Sequence, residues 1–252
     1  MPTVLITGAS SGIGLELARI FASKGYQLAL VARSKQRLAQ VAGELKPASV
    51  QVVVNDLSLA GAPDEIHAAV PKLDVLVNNA GFTVFGKFAE TPLAEELNMM
   101  QLNMTTVVAL TKLYLPAMIA SRGGRILNVA STAAFQPGPL MAVYYATKSF
   151  VLSFSEALAN ELEGTGVTVT ALCPGPTETQ FQERGKMQNS GLVKGKKIMD
   201  ARSVAEAGFR ALMAGKIVEI PGLKNKLLAQ SIRVSPRGMV AKIVRKMQEE
   251  VR

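Results

Sequence analysis

Tryptophan is absent from this 252-residue chain, and cysteine and histidine occur once each, as Cys173 and His67. A single cysteine cannot close an intrachain disulfide, and one cysteine with one histidine cannot build a Cys/His zinc cluster. Metal chemistry is not expected. His67 reads as part of a short helical pattern after Pro63, and Cys173 as a small packing residue ending a β-branched run. No stretch of eighteen uncharged apolar residues occurs, so no spanning helix is expected. The first strand-like run, residues 2–7, follows Met1 at once and leaves no room for a charged region, an apolar region and a cleavage site; a cytoplasmic protein is expected. Aromatic residues make up only 5% and are not interleaved with the basic ones, which argues against nucleic acid as a partner.

What is present is 48% hydrophobic and 19% charged, enough to bury a large core in one α/β domain. The net charge of +9 is uneven: residues 1–182 hold 12 Lys and Arg against 13 Asp and Glu, whereas residues 183–252 hold 16 against 6. The basic character belongs to the last third.

Apolar runs alternate with helical periodicity along the chain. Val4-Leu5-Ile6 leads into Thr7-Gly8-Ala9-Ser10-Ser11-Gly12-Ile13-Gly14, after which Leu15, Leu17, Ala18, Phe21 and Ala22 recur at helical spacing. Strand, glycine turn and helix in that order suit a pyrophosphate, because glycine lets the backbone approach and the helix start offers N–H donors. The next strand, 27–32, ends in Arg33-Ser34-Lys35-Gln36-Arg37. An NAD site normally carries an acid about twenty residues past the glycines, and an arginine there suits a 2′-phosphate. Ala32 and Arg33 hold that place, so NADP is expected over NAD; a solvated basic helix cap is the plainer alternative.

Further strands are expected over 50–55, ahead of Asp56-Leu57, and over 74–77, ahead of Asn78-Asn79-Ala80-Gly81, where side-chain amides could tie neighbouring strand ends together. Between these two strands a marginal helix is expected near 64–70. A long helix is expected from about 92 to 121, broken near Pro116. Asn103 lies within it, either as an exposed neutral choice or as a polar group with an assigned partner. A fifth strand ends at Ser131; a helix over 142–163, a strand over 167–173, a helix over 203–214 and a last strand over 216–220 follow. Residues 180–200 show no periodicity and read as a lid or a disordered loop. Regular βα alternation implies a doubly wound parallel sheet of about seven strands, a Rossmann fold over 1–222, with a helical extension over 223–252.

Tyr144 and Lys148 stand one helical turn apart on one face, so the ammonium is expected to favour the ionised phenol. Ser131, at a strand's C-terminal end, lies where open α/β sheets place ligands. With TGASSGIG at 7–14, Asp56-Leu57, NNAG at 78–81, Asn103, Ser131, Tyr144/Lys148 and Pro174-Gly175 in this order, the chain resembles the short-chain dehydrogenase/reductase family over nearly all of residues 2–222. The resemblance implies that Gly8, Gly12 and Gly14, with Ser10, Ser11 and Ile13 of the same turn, border the cofactor pyrophosphate. It implies that Asp56 and Leu57 flank the adenine and that Asn79, Ala80 and Gly81 line the cofactor's inner face. It further implies Tyr144 as acid/base, Ser131 as partner of the carbonyl oxygen, and Lys148 as binding the nicotinamide ribose while lowering the Tyr144 pKa. Asn103 would position a relay water, and Pro174, Gly175, Thr177 and Thr179 would meet the carboxamide and the base of the lid. Tyr145 adjoins Tyr144 but stands three rather than four positions from Lys148, and reads as a packing or pocket residue.

Phe82, Phe85, Phe135, Leu140, Met141, Phe181 and Met187 are the expected apolar pocket wall, suited to a small hydrophobic carbonyl compound or secondary alcohol. In the extension, Leu223, Leu227, Leu228 and Ile232 form one helical stripe and Met239, Val240, Ile243, Val244, Met247 and Val251 another, separated by Pro236-Arg237-Gly238. Both stripes are expected to pack on the protein or across a homodimer or homotetramer; the opposite faces, rich in Lys and Arg, equally suit an anionic membrane or an anionic carrier. The function expected is an NADP(H)-dependent oxidoreductase, the alternative being a non-catalytic nucleotide sensor or scaffold acting through the basic tail.

Overall fold

A computed structural model describes residues 1–45, 48–185, 190–191 and 198–249. Strand β1 (Thr3–Thr7) sends Val4 and Ile6 to one face and Leu5 to the other, all fully buried. Burial on both faces is why the strand reads as a continuous apolar run rather than an alternating one. Helix α1 (Gly12–Ser23), strand β2 (Gln27–Ala32), helix α2 (Lys35–Glu44), strand β3 (Val50–Val54), the eight-residue helix α3 (Ala62–Ala69) and strand β4 (Val75–Asn78) follow.

Helix α4 (Leu93–Met100) continues through a π turn at Gln101–Thr105 into α5 (Thr106–Ala120). The break expected near Pro116 does not occur. Proline removes one intrahelical donor, but the carbonyl it leaves, that of Lys112, belongs to an exposed residue that water can serve. The irregularity lies instead at Asn103. Because the helix runs unbroken, residues 93–120 are long and apolar enough to cross a bilayer, with a mean hydropathy of 1.3, contrary to the expectation of no such segment. Here they serve as a core helix: Leu110, Tyr114 and Met118 pack on Ile66 of α3 and on the sheet, and the Tyr114 hydroxyl donates to Val70 O at 2.8 Å.

Strand β5 (Gly124–Val129), a 3-10 turn (Thr132–Phe135), helix α6 (Ala142–Glu161) and strand β6 (Val167–Leu172) come next. Strands β7 (Thr177–Glu178) and β8 (Met199–Asp200) pair with each other at either end of a segment that begins with the short helix α7 (Phe181–Arg184). Helix α8 (Ala201–Met213) and strand β9 (Val218–Glu219), shorter than expected, complete the alternation. The sheet is parallel, in the order β3-β2-β1-β4-β5-β6-β9. Helices α1, α2 and α8 cover one face, and α3, α5 and α6 the other. The order reverses between β1 and β4, which opens a crevice at the strands' carboxyl ends.

Helices α9 (Leu223–Arg233) and α10 (Arg237–Gln248) are separated at Pro236, as the sequence suggests. Their packing differs from expectation. On α9 the inward face is Asn225, Ala229 and Ile232, while Leu223 and Leu227 are 73% and 63% exposed and Leu228 is also exposed. On α10 only Val240 and Val244 of the apolar stripe are buried, and Met239, Ile243 and Met247 remain exposed. Val251 lies outside the described residues.

Candidate active site

A cleft of about 1230 Å³ lies along the carboxyl ends of β1, β2, β4, β5 and β6 and is closed on its far side by α9 and α10. At one end, Gly8 and Gly12 adopt left-handed backbone conformations, φ +66° and +56°, on either side of the turn into α1. A Cβ on Gly8 would lie 2.9 Å from the Asn79 amide nitrogen, and one on Gly12 would lie 2.9 Å from the Thr179 methyl group. The bare backbone is therefore required for the strand ends to meet as well as to receive a ligand. No acidic side chain occupies the first turn of α1, so the helix dipole there is free to favour an anion. Ser10, Ser11 and Ile13 line the same end of the cleft. Gly14 does not. A Cβ on Gly14 would meet Gly8 O and Asn79 Nδ2 at 2.5 Å each, so this glycine serves the contact of helix with strand rather than bordering a pyrophosphate.

The strand ends are tied by side-chain amides. Asn79 Nδ2 donates to Thr7 O at 2.9 Å, while the Thr7 hydroxyl accepts from the backbone N–H groups of Asn79 and Ala80. One strand over, Asn78 Nδ2 donates to Asn128 Oδ1 at 2.9 Å, and Asn128 Nδ2 donates to the Ser155 hydroxyl of α6. These bonds fix where Ala80 and Gly81 present backbone to the cleft.

Asn103 is buried in the π turn. Its Nδ2 donates to Phe82 O (3.0 Å) and Thr147 Oγ1 (3.2 Å), and its Oδ1 accepts from Phe82 N (3.3 Å). The extra residue of a π turn aims one side chain out of the helical register; here that side chain clamps both backbone groups of Phe82. Asn103 does not itself line the cleft.

Ser131 caps the 3-10 turn. Its hydroxyl accepts from Ala133 N at 3.1 Å and donates to Pro174 O at 3.4 Å, and Ser131 and Tyr144 line the same cleft. Lys148, one turn beyond Tyr144, donates from Nζ to Val129 O at 2.8 Å and lies 5.8 Å from the Tyr144 ring centre. Tyr144 and Lys148 are both buried. Burial pushes the Tyr144 phenol well above its usual range, with Ser131 offsetting only part of the rise, and pulls Lys148 down to about 8. The phenol is thus displaced upward overall, by burial, where the spacing to Lys148 led one to expect it lowered. Desolvation penalises both charged forms, and the ammonium is spent on a backbone carbonyl rather than on the phenol. Cys173 is buried beneath them with its thiol pushed up to about 12, an inert packing residue.

Arg33 borders the cleft beyond β2, with Nη1 4.0 Å from Asp56 Oδ2. Arg37, from the next turn, borders the same place and donates to Gln180 Oε1 at 3.3 Å. Leu57, Pro174, Gly175, Thr177 and Thr179 also line the cleft. A Cβ on Gly175 would lie 2.7 Å from the Asn225 side chain, so this glycine makes room for α9.

Of the expected pocket wall, Phe82, Met141 and Phe181 line the cleft. Phe85, Phe135 and Leu140 do not. The 3-10 turn rotates Phe135 away to pack with Ala130, Val151, Leu152 and Ile220, and Leu140 sits at φ +68° with its carbonyl accepting from Gly86 N. Phe85 packs behind Val84 and Met99. Met187 lies outside the described residues. The wall is completed by Tyr145, which the sequence left as a packing or pocket residue, by Gln136, which it did not single out, and by Leu228, Ile243 and Met247 of the extension's apolar stripes.

A family model described as short chain dehydrogenase matches residues 2–189. The chain belongs to the short-chain dehydrogenase family. Within it, the chain is 41% identical over 203 residues to the granaticin polyketide synthase putative ketoacyl reductase 1 of Streptomyces violaceoruber, covering 76% of this chain and 73% of that one. It is 36% identical over 179 residues to the ketoacyl reductase HetN of Nostoc sp., which covers 69% of this chain and 62% of that protein's length. Among solved structures, a short-chain dehydrogenase from Sphingobium yanoikuyae in complex with NADPH superimposes with a TM-score of 0.85 at 31% identity, covering 95% of each chain. This short-chain dehydrogenase shares the family's parallel sheet flanked by helices.

Proposed function

We propose that this short-chain dehydrogenase is an NADP(H)-dependent oxidoreductase that reduces a hydrophobic ketone or aldehyde, the reverse reaction oxidising the secondary or primary alcohol. The observation that carries the reading is the convergence of Ser131 and Tyr144 at the wall of an apolar cleft, with Lys148 buried one turn behind and held on Val129 O. Nicotinamide, when bound, supplies or accepts the hydride. Gly8, Gly12, Ala80 and Gly81 would hold it by backbone, since the bare strand ends and an α1 start without acidic side chains fit a pyrophosphate. As negative charge grows on the substrate oxygen, Tyr144 donates its proton and the Ser131 hydroxyl donates a hydrogen bond, both stabilising what exists only in the transition state. A phenol held in its neutral form at neutral pH already carries the proton that reduction consumes, whereas oxidation requires that proton to be lost first. The ketoacyl reductases among its relatives support extending the reading to 3-oxoacyl compounds. A panel of aromatic ketones and 3-oxoacyl thioesters, followed by NADPH absorbance, tests the reading; no turnover of any member removes it.

Arg33 and Arg37 support NADP over NAD, because no acidic side chain stands at the end of β2 to hold a ribose 2′-hydroxyl. Arg33→Asp is expected to swing the ratio of kcat/KM for NADPH and NADH towards NADH by about 10–100-fold, the worth of a charge-assisted hydrogen bond or two. An unaltered ratio removes Arg33 from the assignment.

The outward leucines of α9 support contact with an anionic lipid surface. Leu227 is exposed outside the cleft beside the exposed Lys226, and the exposed Leu223 and Lys224 stand where α9 borders the cleft, so apolar and electrostatic attraction act together. A second copy of the same basic face would repel it. Flotation with phosphatidylglycerol vesicles, lost with phosphatidylcholine and with Leu223→Ser/Leu227→Ser, is the expected result; protein left at the bottom of the gradient with both lipids overturns it.

A further inference from the structure

The last turn of α10 reaches the catalytic helix. Gln248 is fully buried, and its Nε2 donates to the Tyr145 hydroxyl at 2.7 Å across 103 positions of sequence. Gln136, from the loop after the 3-10 turn, lines the cleft beside Tyr145. That loop fits closely on Tyr145, since a Cβ on Gly138 would fall 2.2 Å from its ring. The Tyr145 ring stands edge-on to Tyr144 with centres 6.0 Å apart, and Tyr144 in turn meets Phe181 at 5.5 Å. The backbone beside Gln248 is also engaged: Gln248 O accepts from the Ser190 hydroxyl, and Glu249 O from Gly191 N, both at 3.2 Å.

An amide at this place is a poor choice for adhesion alone. Val240, Val244 and Gln248 follow one another at four-residue spacing on the buried face of α10, where a third apolar residue would bury well. Instead Gln248 Oε1 is buried with no hydrogen-bond partner among the described residues, a condition that costs about 1–3 kcal/mol. Apolar contact tolerates sliding, whereas a buried hydrogen bond fixes register. The register matters because Ile243 and Met247, on the adjoining face of the same helix, line the cleft opposite Tyr144.

We propose that Gln248 is a positioning residue for the substrate pocket: by holding the Tyr145 hydroxyl it fixes α10 as the pocket's distal wall and sets the preference for bulky apolar carbonyl compounds over small ones. The inference rests on the oxidoreductase reading for its kinetic test and on geometry for its structural one. A large ketone that fills the cleft as far as Ile243 and Met247 depends on where α10 stands. A small aldehyde that needs only Ser131 and Tyr144 does not.

Benzophenone and propanal serve as probes on the full chain with NADPH. Gln248→Leu is expected to raise KM for benzophenone about tenfold, with kcat within about twofold and KM for propanal unchanged. Tyr145→Phe/Gln248→Leu, which makes the contact wholly apolar, is expected to recover the Tm of the parent while KM for benzophenone stays high. Trypsin cleavage at Lys242, Arg245 and Lys246 should be faster in Gln248→Leu than in the parent, a readout that needs no turnover. A rise in KM shared by both substrates, recovery of KM together with Tm in the double variant, or unchanged trypsin cleavage each overturns the proposal. Should the parent turn over neither probe nor any member of the substrate panel, the oxidoreductase reading fails by itself, and calorimetric binding of benzophenone with the trypsin readout decides the role of Gln248.

Discussion

Tyr144→Phe should lower kcat for carbonyl reduction by about 10²–10⁴-fold, the usual worth of a positioned proton donor, while NADPH affinity, read by fluorescence titration, stays within about twofold. The substitution deletes one oxygen from a buried ring and leaves the ring's contacts with Tyr145 and Phe181 in place. Ser131 keeps both of its partners, the Ala133 N–H and the Pro174 carbonyl. A stability loss of about 1 kcal/mol is expected, too small to account for the rate. Because burial holds the Tyr144 proton well above neutrality, the parent's reductive rate should be nearly flat from pH 6 to 7 and change only as Lys148 loses its charge near 8, whereas oxidation, which needs the phenolate, should climb with pH. Unchanged turnover in Tyr144→Phe, measured with any substrate the parent accepts, would remove Tyr144 from the mechanism.

The parts of this site that could be read from the sequence are those set by local spacing. The glycine turn, the strand ends and the four-residue interval from Tyr144 to Lys148 all stand where periodicity puts them, with strand limits shifted by a residue or so. The tie between strand ends was legible because two adjacent asparagines ending an apolar run have few other uses. Direction was less legible than position. Asn103 could be recognised as a polar group in need of a partner, yet the π turn that swings it onto Phe82 has no pattern of its own. Phe135 failed as a pocket residue because a 3-10 turn, not a strand or an α-helix, decides where it faces. The electrostatic expectation failed for a different reason. Spacing shows that an ammonium is near a phenol, but burial of both groups outweighs their mutual effect, and burial is a property of the whole fold.

The extension shows the limit most plainly. Its two helices and the break at Pro236 follow from composition, but amphipathic periodicity says only that a helix has two unlike faces. On α10 the apolar face turns inward at Val240 and Val244; on α9 all three leucines are exposed, Leu223 and Leu228 along the cleft and Leu227 away from it. The one signal for the contact with Tyr145 was a glutamine at the position where the four-residue spacing from Val240 and Val244 calls for an apolar residue.

Lys148→Met should abolish activity and yet raise stability at neutral pH. The Lys148 pKa is about 8 in the folded protein against an ordinary 10.5, so below pH 8 the lysine is charged in both states and burial of the charge opposes folding in full. Between 8 and 10.5 the unfolded chain binds more protons than the folded one, and stability rises with pH. At about 1.4 kcal/mol per unit the opposition amounts to roughly 3 kcal/mol. Methionine has similar volume and removes it, but strands the Val129 carbonyl, at a cost of about 1–2 kcal/mol. A net gain of about 1–2 kcal/mol corresponds to a Tm higher by roughly 2–8 °C at pH 7 in a chain of this size. Calorimetry at pH 7 and pH 10 should show the parent's Tm rising towards that of the variant, which lacks this contribution. The window closes near pH 10, where the raised Tyr144 pKa begins to act in the opposite direction. A variant less stable than its parent at pH 7, with the same pH slope, would mean that the lysine is not opposed by its surroundings. Lys148 would then be a structural cation, and its burial one turn behind Tyr144 would no longer argue for a charge kept there for the reaction.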